Sequence, residues 1–175
     1  MGQVSFRVSS VTAAPPAVVF ALLCDGASWP RWSPIGSFQL ERPAYPPGGR
    51  RPGDDGPDTG ANDGRDSDDG EGGGGEGVGA IRRFRTSFVT SREEVTAVEP
   101  DVRFAYRALS GLPISGHLAV VELTPSDGGT TITWSEEFST RVPGLARFLR
   151  NFVQRCADGL ASRAAADTGV GRPGG

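Results

Sequence analysis

The sequence predicts an α+β domain: a curved antiparallel sheet of about seven strands wrapped around one long C-terminal helix, with two short helices after the first strand. Three observations lead there. Apolar residues recur with period two in short segments separated by Gly, Pro and Asp turns. An apolar stripe of helical period runs through residues 143–166. One stretch, residues 43–77, is too poor in apolar side chains to join any core.

Val4, Phe6 and Val8 alternate with Ser5 and Arg7, which makes residues 3–12 a strand with one buried face. Pro15 and Pro16 then supply a helix start. Residues 17–24, with Val18, Val19, Leu22 and Leu23, form a short apolar helix ending near Asp25 and Gly26. Trp29, Pro30, Arg31 and Trp32 add a second helical turn before Pro34, and residues 35–42 make a second strand that the poor stretch interrupts. Five strands follow, over 78–86, 88–99, 102–109, 114–124 and 130–140. Turns at Pro100-Asp101, at 110–113 and at Asp127-Gly128-Gly129 order them as sequential hairpins. Pro143 and Gly144 open the last helix. Its stripe is Leu145, Phe148, Leu149, Phe152, Val153, Cys156 and Leu160, while Arg147, Arg150, Asn151, Gln154 and Arg155 take the other faces. At ~1.5 Å per residue this helix is roughly 36 Å long, enough to cross a small sheet.

A chain of 175 residues has room for one domain. Residues 43–77 hold 12 of the 26 Gly, 5 of the 14 Pro and 9 of the 21 acidic residues, with a net charge of −6 against +3 for the rest. Met1 to Arg42 is too short to bury a core alone and supplies the strand and helices that the later sheet lacks, so the stretch is a loop inside one fold. The expected organisation is a single domain over 1–168, interrupted by a disordered acidic insert at 43–77 and followed by a disordered tail at 169–175. Such an insert costs only about 2 kcal/mol of loop-closure entropy over a short turn. Its sharper reading is an acidic flap or tether.

Charge and composition exclude several chemistries. The weak +3 of the remainder lacks the basic stripe of a nucleic-acid binder. All 18 basic residues are Arg, which removes lysine Schiff-base chemistry. One histidine is too few for a histidine-rich metal site, so neither metal nor cofactor is expected. Gly70, Gly72 and Gly75 satisfy GxGxxG, but no apolar strand precedes them and Glu71 and Glu76 would repel a pyrophosphate. Asp63, Asp66, Asp68 and Asp69 lack the frame of a calcium loop. Cys24 and Cys156 fit no metal or disulfide spacing and read as buried thiols of a reducing compartment. With no apolar run of ~18 residues and no signal profile, the expected location is the cytoplasm, without integral membrane contact.

Four segments carry a family resemblance: AAPPAVVFALLCDGASWPRWSP, GVGAIRRFR, REEVTAVEPDVRFAYRALSGLPISGHLAVVELTPSDGGTTITWSEEF and VPGLARFLRNFV. Together they resemble the polyketide cyclase/dehydrase branch of the START-like helix-grip (SRPBCC) superfamily over residues 3 to 166 without the insert. The resemblance implies a deep apolar cavity between sheet and long helix that takes lipids, polyketides or other hydrophobic molecules. It also implies that some members are aromatases or cyclases. Periodicity alone does not separate a hollow core from a filled one.

The residues offer candidates for such a cavity. Ile132, Trp134, Glu136 and Phe138 share one strand face, and Val102, Phe104, Tyr106 and Ala108 share another. An inward Glu136 needs Arg, Tyr or His beside it. The usual exposure of Glu instead places it at the rim, in water. Both faces of the His117 strand are mostly apolar, so parity does not orient the ring. The candidate ligand-binding set is Phe84, Phe104, Tyr106, His117, Trp134, Glu136, Phe138, Leu145, Phe148, Leu149 and Phe152. Trp29 and Trp32 read as braces first and pocket wall second. The leading function is binding or transport of a hydrophobic lipid, polyketide, aromatic or isoprenoid-like molecule by a monomer or homodimer. The alternative is a polyketide aromatase/cyclase or dehydratase in which Tyr106, His117, Glu136 or Arg107 moves protons. A protein-interaction module is the third reading.

Overall fold

The computed structural model describes residues 2–45, 75–87 and 89–169. The disorder expected over most of the insert and beyond Gly169 falls outside those residues, as do Asp63, Asp66, Asp68, Asp69, Gly70 and Gly72. The elements are β1 (Gly2–Thr12), α1 (Pro16–Cys24), a 3-10 turn (Gly26–Ser28), α2 (Trp29–Trp32) and β2 (Ser37–Arg42). After the insert come β3 (Ile81–Thr86), β4 (Val89–Glu99), β5 (Arg103–Ser110), β6 (Ile114–Ser126), β7 (Gly129–Thr140) and α3 (Leu145–Asp167). No helix among the described residues is long and apolar enough to cross a membrane.

The seven strands form one antiparallel sheet in the order β1-β7-β6-β5-β4-β3-β2. The hairpin meander runs from β2 to β7. The first strand then pairs with the last along its whole length, from Gly2 opposite Thr140 to Thr12 opposite Thr130. That pairing makes the N-terminal segment part of the same fold. Element ends depart from expectation where turn chemistry intervenes. Val102, expected to share the face of Phe104, is 54% exposed in the turn before β5, which Asp101 enters at φ +61.

Helix α3 lies across the inner face of the sheet, but only part of its expected stripe is buried. Leu149, Val153, Cys156 and Leu160 are covered, whereas Phe148 is 57% exposed and stacks on Phe152 at 6.5 Å. The first turns of α3 overhang a cavity, so they have no strand to cover them. Towards its C-terminus the helix buries Ala157, Ala161 and Ala164 instead of large side chains. These short residues bring the helix backbone close to its neighbours, and Thr12 Oγ1 donates to Ala161 O at 2.8 Å. The tightest approach is at Gly159, where an added Cβ would stand 1.6 Å from the carbonyl oxygen of Trp32. That carbonyl belongs to α2, itself fixed by Trp29 Nε1 donating to Leu23 O (3.1 Å) and Trp32 Nε1 donating to Ser28 Oγ (2.9 Å).

Arg82 is the largest buried polar group on the inner face. Its guanidinium donates to Leu23 O (3.0 Å) and Cys24 O (2.9 Å), the last carbonyls of α1, and pairs with Glu76 at 2.8 Å. It also lies over the Phe104 ring at 4.7 Å. Glu76 in turn accepts from Gly26 N at 2.9 Å. The described ends of the insert are therefore built into the domain: Glu76 at one side, and Tyr45 under the Arg42 guanidinium at the other.

Gly159→Ala is expected to destabilise the domain. The methyl group gains up to about 1 kcal/mol of helix propensity but must displace a backbone carbonyl that α2 holds. A net loss of about 2 kcal/mol, or roughly 4–8 °C in Tm by differential scanning calorimetry, is the expected result.

Candidate functional site

The site begins with an irregularity in β6. Ser115 lies opposite Ser139 but Leu118 lies opposite Glu137, so β6 carries one extra residue at 116–117. Gly116 takes φ +61 at this bulge, a conformation that glycine adopts without strain. β5 and β6 pair only from Arg103–Glu122 to Tyr106–Ala119. Beyond Tyr106, the Ala108 N–H donates not to a strand carbonyl but to His117 Nδ1, at 2.9 Å. The bulge therefore resolves what parity left open: His117 points inward, filling a gap in the ladder.

With Nδ1 accepting, the ring proton is assigned to Nε2, which faces Glu136 Oε2 at 3.3 Å. Glu136 is 4% exposed. The rim position expected for it is thus corrected, because His117 gives the carboxylate the partner that burial requires. Tyr106 comes from β5, and its ring lies 5.9 Å from that of His117. Trp134 comes from β7 and meets Tyr106 edge-on at 6.3 Å. Glu93 comes from β4 and accepts from Ser91 Oγ at 3.5 Å.

These groups surround a small inner void of about 50 Å³, walled also by Trp29, Ile35, Leu112, Leu149, Phe152, Val153 and Cys156. An outer void of about 250 Å³ shares Ile35, Glu93, Leu112, Leu149 and Phe152 with it and adds Val89 and Phe148. The two share walls under the first half of α3; both are mainly apolar, the outer one with Thr86, Ser87 and Ser91 at its edge and the inner one with His117, Glu136 and Tyr106 gathered at its end.

Electrostatics separate the inner groups. Burial pushes Glu93 up to about 7, with His117 and Arg82 opposing the rise and Glu136 adding to it. Burial, then Glu136 and Glu93, raises the Tyr106 hydroxyl well above its ordinary range, with the nearby Trp134 N–H a small opposing influence. That N–H is buried, and among the described residues it meets no acceptor in good geometry. Burial raises the Cys156 thiol as well, so it is no thiolate nucleophile.

Of the sequence candidates, Tyr106, His117, Trp134, Glu136, Leu149 and Phe152 line the inner void, and Phe148 lines the outer one. Phe84, Phe104, Phe138 and Leu145 line neither. Phe84 stacks on Trp29 at 5.1 Å, Phe104 lies under Arg82 and Phe138 packs edge-on against Phe6, so these three are core. Arg107 is corrected outright. It projects from the opposite face of the sheet, where its Nε donates to Glu94 Oε2 at 2.8 Å, and has no route to the cavity. Sequence reasoning missed Glu93. The available signal was its phase: it stands two residues before the buried Val95 on one strand.

Glu93 makes stability depend on pH. A carboxyl near 7 in the folded chain, against ~4.3 unfolded, holds its proton more tightly when folded. Its contribution is therefore present at low pH and lost as pH rises from about 4 to 7. Glu93→Gln should match the parent in denaturant midpoint near pH 4 and exceed it at pH 8. A gap constant with pH would contradict the assignment.

The family described as polyketide cyclase/dehydrase and lipid transport has a model that matches residues 63–165. No curated protein matches the chain. Among solved structures, Ara h 8.0201 superposes with a TM-score of 0.64 at 16% identity, over 94% of this chain and 99% of its own. A protein from Nitrosospira multiformis gives 0.64 at 17%, over 94% and 99%. The XoxI protein of Bacillus cereus gives 0.58 at 14%, over 97% and 99%. At these identities the likeness speaks for the fold, and the fold is the sheet gripping α3 described above. The family model spans more than half of the chain, which therefore belongs to the polyketide cyclase/dehydrase and lipid transport family, on the START-like helix-grip fold.

Proposed function

We propose that the protein binds a small hydrophobic molecule with one polar end, the apolar body under Phe148, Leu149 and Phe152 and the polar end at His117 and Glu136. The observation that carries this reading is a mainly apolar cavity whose inner end gathers the buried, hydrogen-bonding His117 and Glu136. Family membership supports hydrophobic ligands in general. The size narrows them: about 250 Å³ lies below the ~300–1,000 Å³ of pockets for drug-sized ligands. A compact aromatic or short isoprenoid-like molecule suits that space better than a long acyl chain. On this reading the protein works in the cytoplasm as a monomer or homodimer, without nucleic acid.

An aromatase/cyclase or dehydratase is the second reading, and Glu93 favours it. A carboxyl at about 7 is present in both forms near neutrality, so it is able to accept a proton from an acidic methylene and return one to a departing hydroxyl. The His117–Glu136 pair would position a substrate carbonyl beside it. Arg107 has no part in this version.

Thermal shift and tryptophan quenching with menadione, emodin and lauric acid test the binding reading, since Trp29 and Trp134 wall the inner void. A probe at ~100 times its Kd adds about 2.7 kcal/mol of stability. Menadione is expected to stabilise the protein and to quench its fluorescence, and Leu149→Trp, which fills the cavity, to abolish both. Equal responses in the parent and the filled variant would overturn the reading. Turnover of a model poly-β-ketone that Glu93→Gln abolishes while menadione still binds would move the assignment to the enzyme.

A further inference from the structure

The inner void holds two carboxyl groups and no free cation among the described residues. Glu93 and Arg82 are direct cross-strand partners, yet the guanidinium turns away to Leu23 O, Cys24 O and Glu76. Glu136 meets the Nε2 side of His117, whose Nδ1 takes the Ala108 N–H, so both ring nitrogens are engaged. The groups around Glu93 are Arg82 from β3, Ser91 from its own strand, Tyr106 from β5, His117 from β6, Glu136 from β7 and Cys156 from α3. Apart from the committed Arg82 and the His117 ring, whose two nitrogens are already engaged, each is neutral or acidic. Among the described residues no group of three or more His, Cys, Asp and Glu is set to hold a metal ion.

A second observation, independent of the acids, calls for an occupant. Trp134 is 1% exposed, lines the same void, and carries an Nε1–H that lies near the Tyr106 hydroxyl but meets no acceptor in good geometry among the described residues. A buried donor of this kind takes its acceptor from an ordered water or from an oxygen on a bound molecule. The remaining walls are the ring faces of Trp29, Tyr106 and Phe152, which attract cations through their quadrupoles.

We infer that the ligand is a small aryl amino alcohol: a ring in the outer void, a protonated amine between Glu136 and Glu93, and a neighbouring hydroxyl oxygen for the Trp134 N–H. This rests on the cavity being the ligand site. It adds the charge of the ligand, which neither the family nor the apolar walls specify.

Isothermal titration of the full chain with three probes of one size tests it: 2-amino-1-phenylethanol, the neutral 1-phenyl-1-propanol and the anionic 3-hydroxy-3-phenylpropionate. At pH 7.5 the amine is expected to bind at least tenfold more tightly than the alcohol, and the anion not at all. Lowering the pH to 5.5 protonates Glu93 but not the amine, and should weaken amine binding several-fold while leaving the alcohol unaffected. Glu136→Gln and, separately, Glu93→Gln should each bring the amine-to-alcohol ratio towards one, so the test survives if one variant fails to fold. If the alcohol or the anion binds as tightly as the amine, this inference falls and the binding function stands. If none of the three binds and menadione does not either, the cavity reading falls and takes the inference with it.

Discussion

One hydrogen bond, from the Ala108 N–H to His117 Nδ1, organises the inner half of the molecule. An antiparallel pair normally satisfies each such N–H with a carbonyl of the neighbouring strand. Here β5 and β6 part after Tyr106, and a buried N–H would be left without an acceptor had the Gly116 bulge not turned an imidazole into the gap. Three consequences follow from that substitution. The strands stay apart, which leaves space beneath α3. The ring is held with its proton on Nε2. Glu136 gains the one donor that makes its burial tolerable.

The second organising charge, Arg82, does the opposite job. It is buried on the same face, yet it serves the scaffold: it completes the last carbonyls of α1 and fastens Glu76, the end of the acidic insert, to Gly26 through a shared carboxylate. Burial raises the Glu76 carboxyl and lowers the Arg82 guanidinium, and their attraction only partly offsets either effect. The pair therefore orders the junction between insert and domain more than it adds to stability. Because Arg82 is committed there, Glu93 directly across from it remains uncompensated and its proton affinity rises. Scaffold and site are linked by this division of one cation between two candidate acids.

Much of the architecture was legible from alternation and turn residues. Period-two patterning and the Pro and Gly turns located every strand, and the i, i+3, i+4 stripe located α3, because both signals reflect which face must leave water. Phe148 shows where that logic stops: an apolar residue in phase with the stripe is exposed because it overhangs a void, and periodicity records polarity without recording what lies opposite. Glu136 and His117 were visible as an inward pair only conditionally. Their meeting depends on a single-residue bulge, and a glycine in a strand signals a bulge without giving its register. Arg107 was misplaced for the same kind of reason: next to Tyr106 in sequence, it lies on the other side of the sheet. Arg82 and Glu93 escaped notice because charged residues are read as exposed; Arg82 is held on the inner face by carbonyls distant in sequence, and Glu93 lies directly across the strand from it.

His117 is the only histidine in the chain, so its ring nitrogens are assignable without ambiguity. Long-range ¹H–¹⁵N correlation spectroscopy of the labelled protein at pH 7 reads the tautomer directly. The Ala108 hydrogen bond predicts a proton on Nε2, with Nδ1 coupled across the hydrogen bond to the Ala108 amide. A ring protonated at Nδ1 would contradict it.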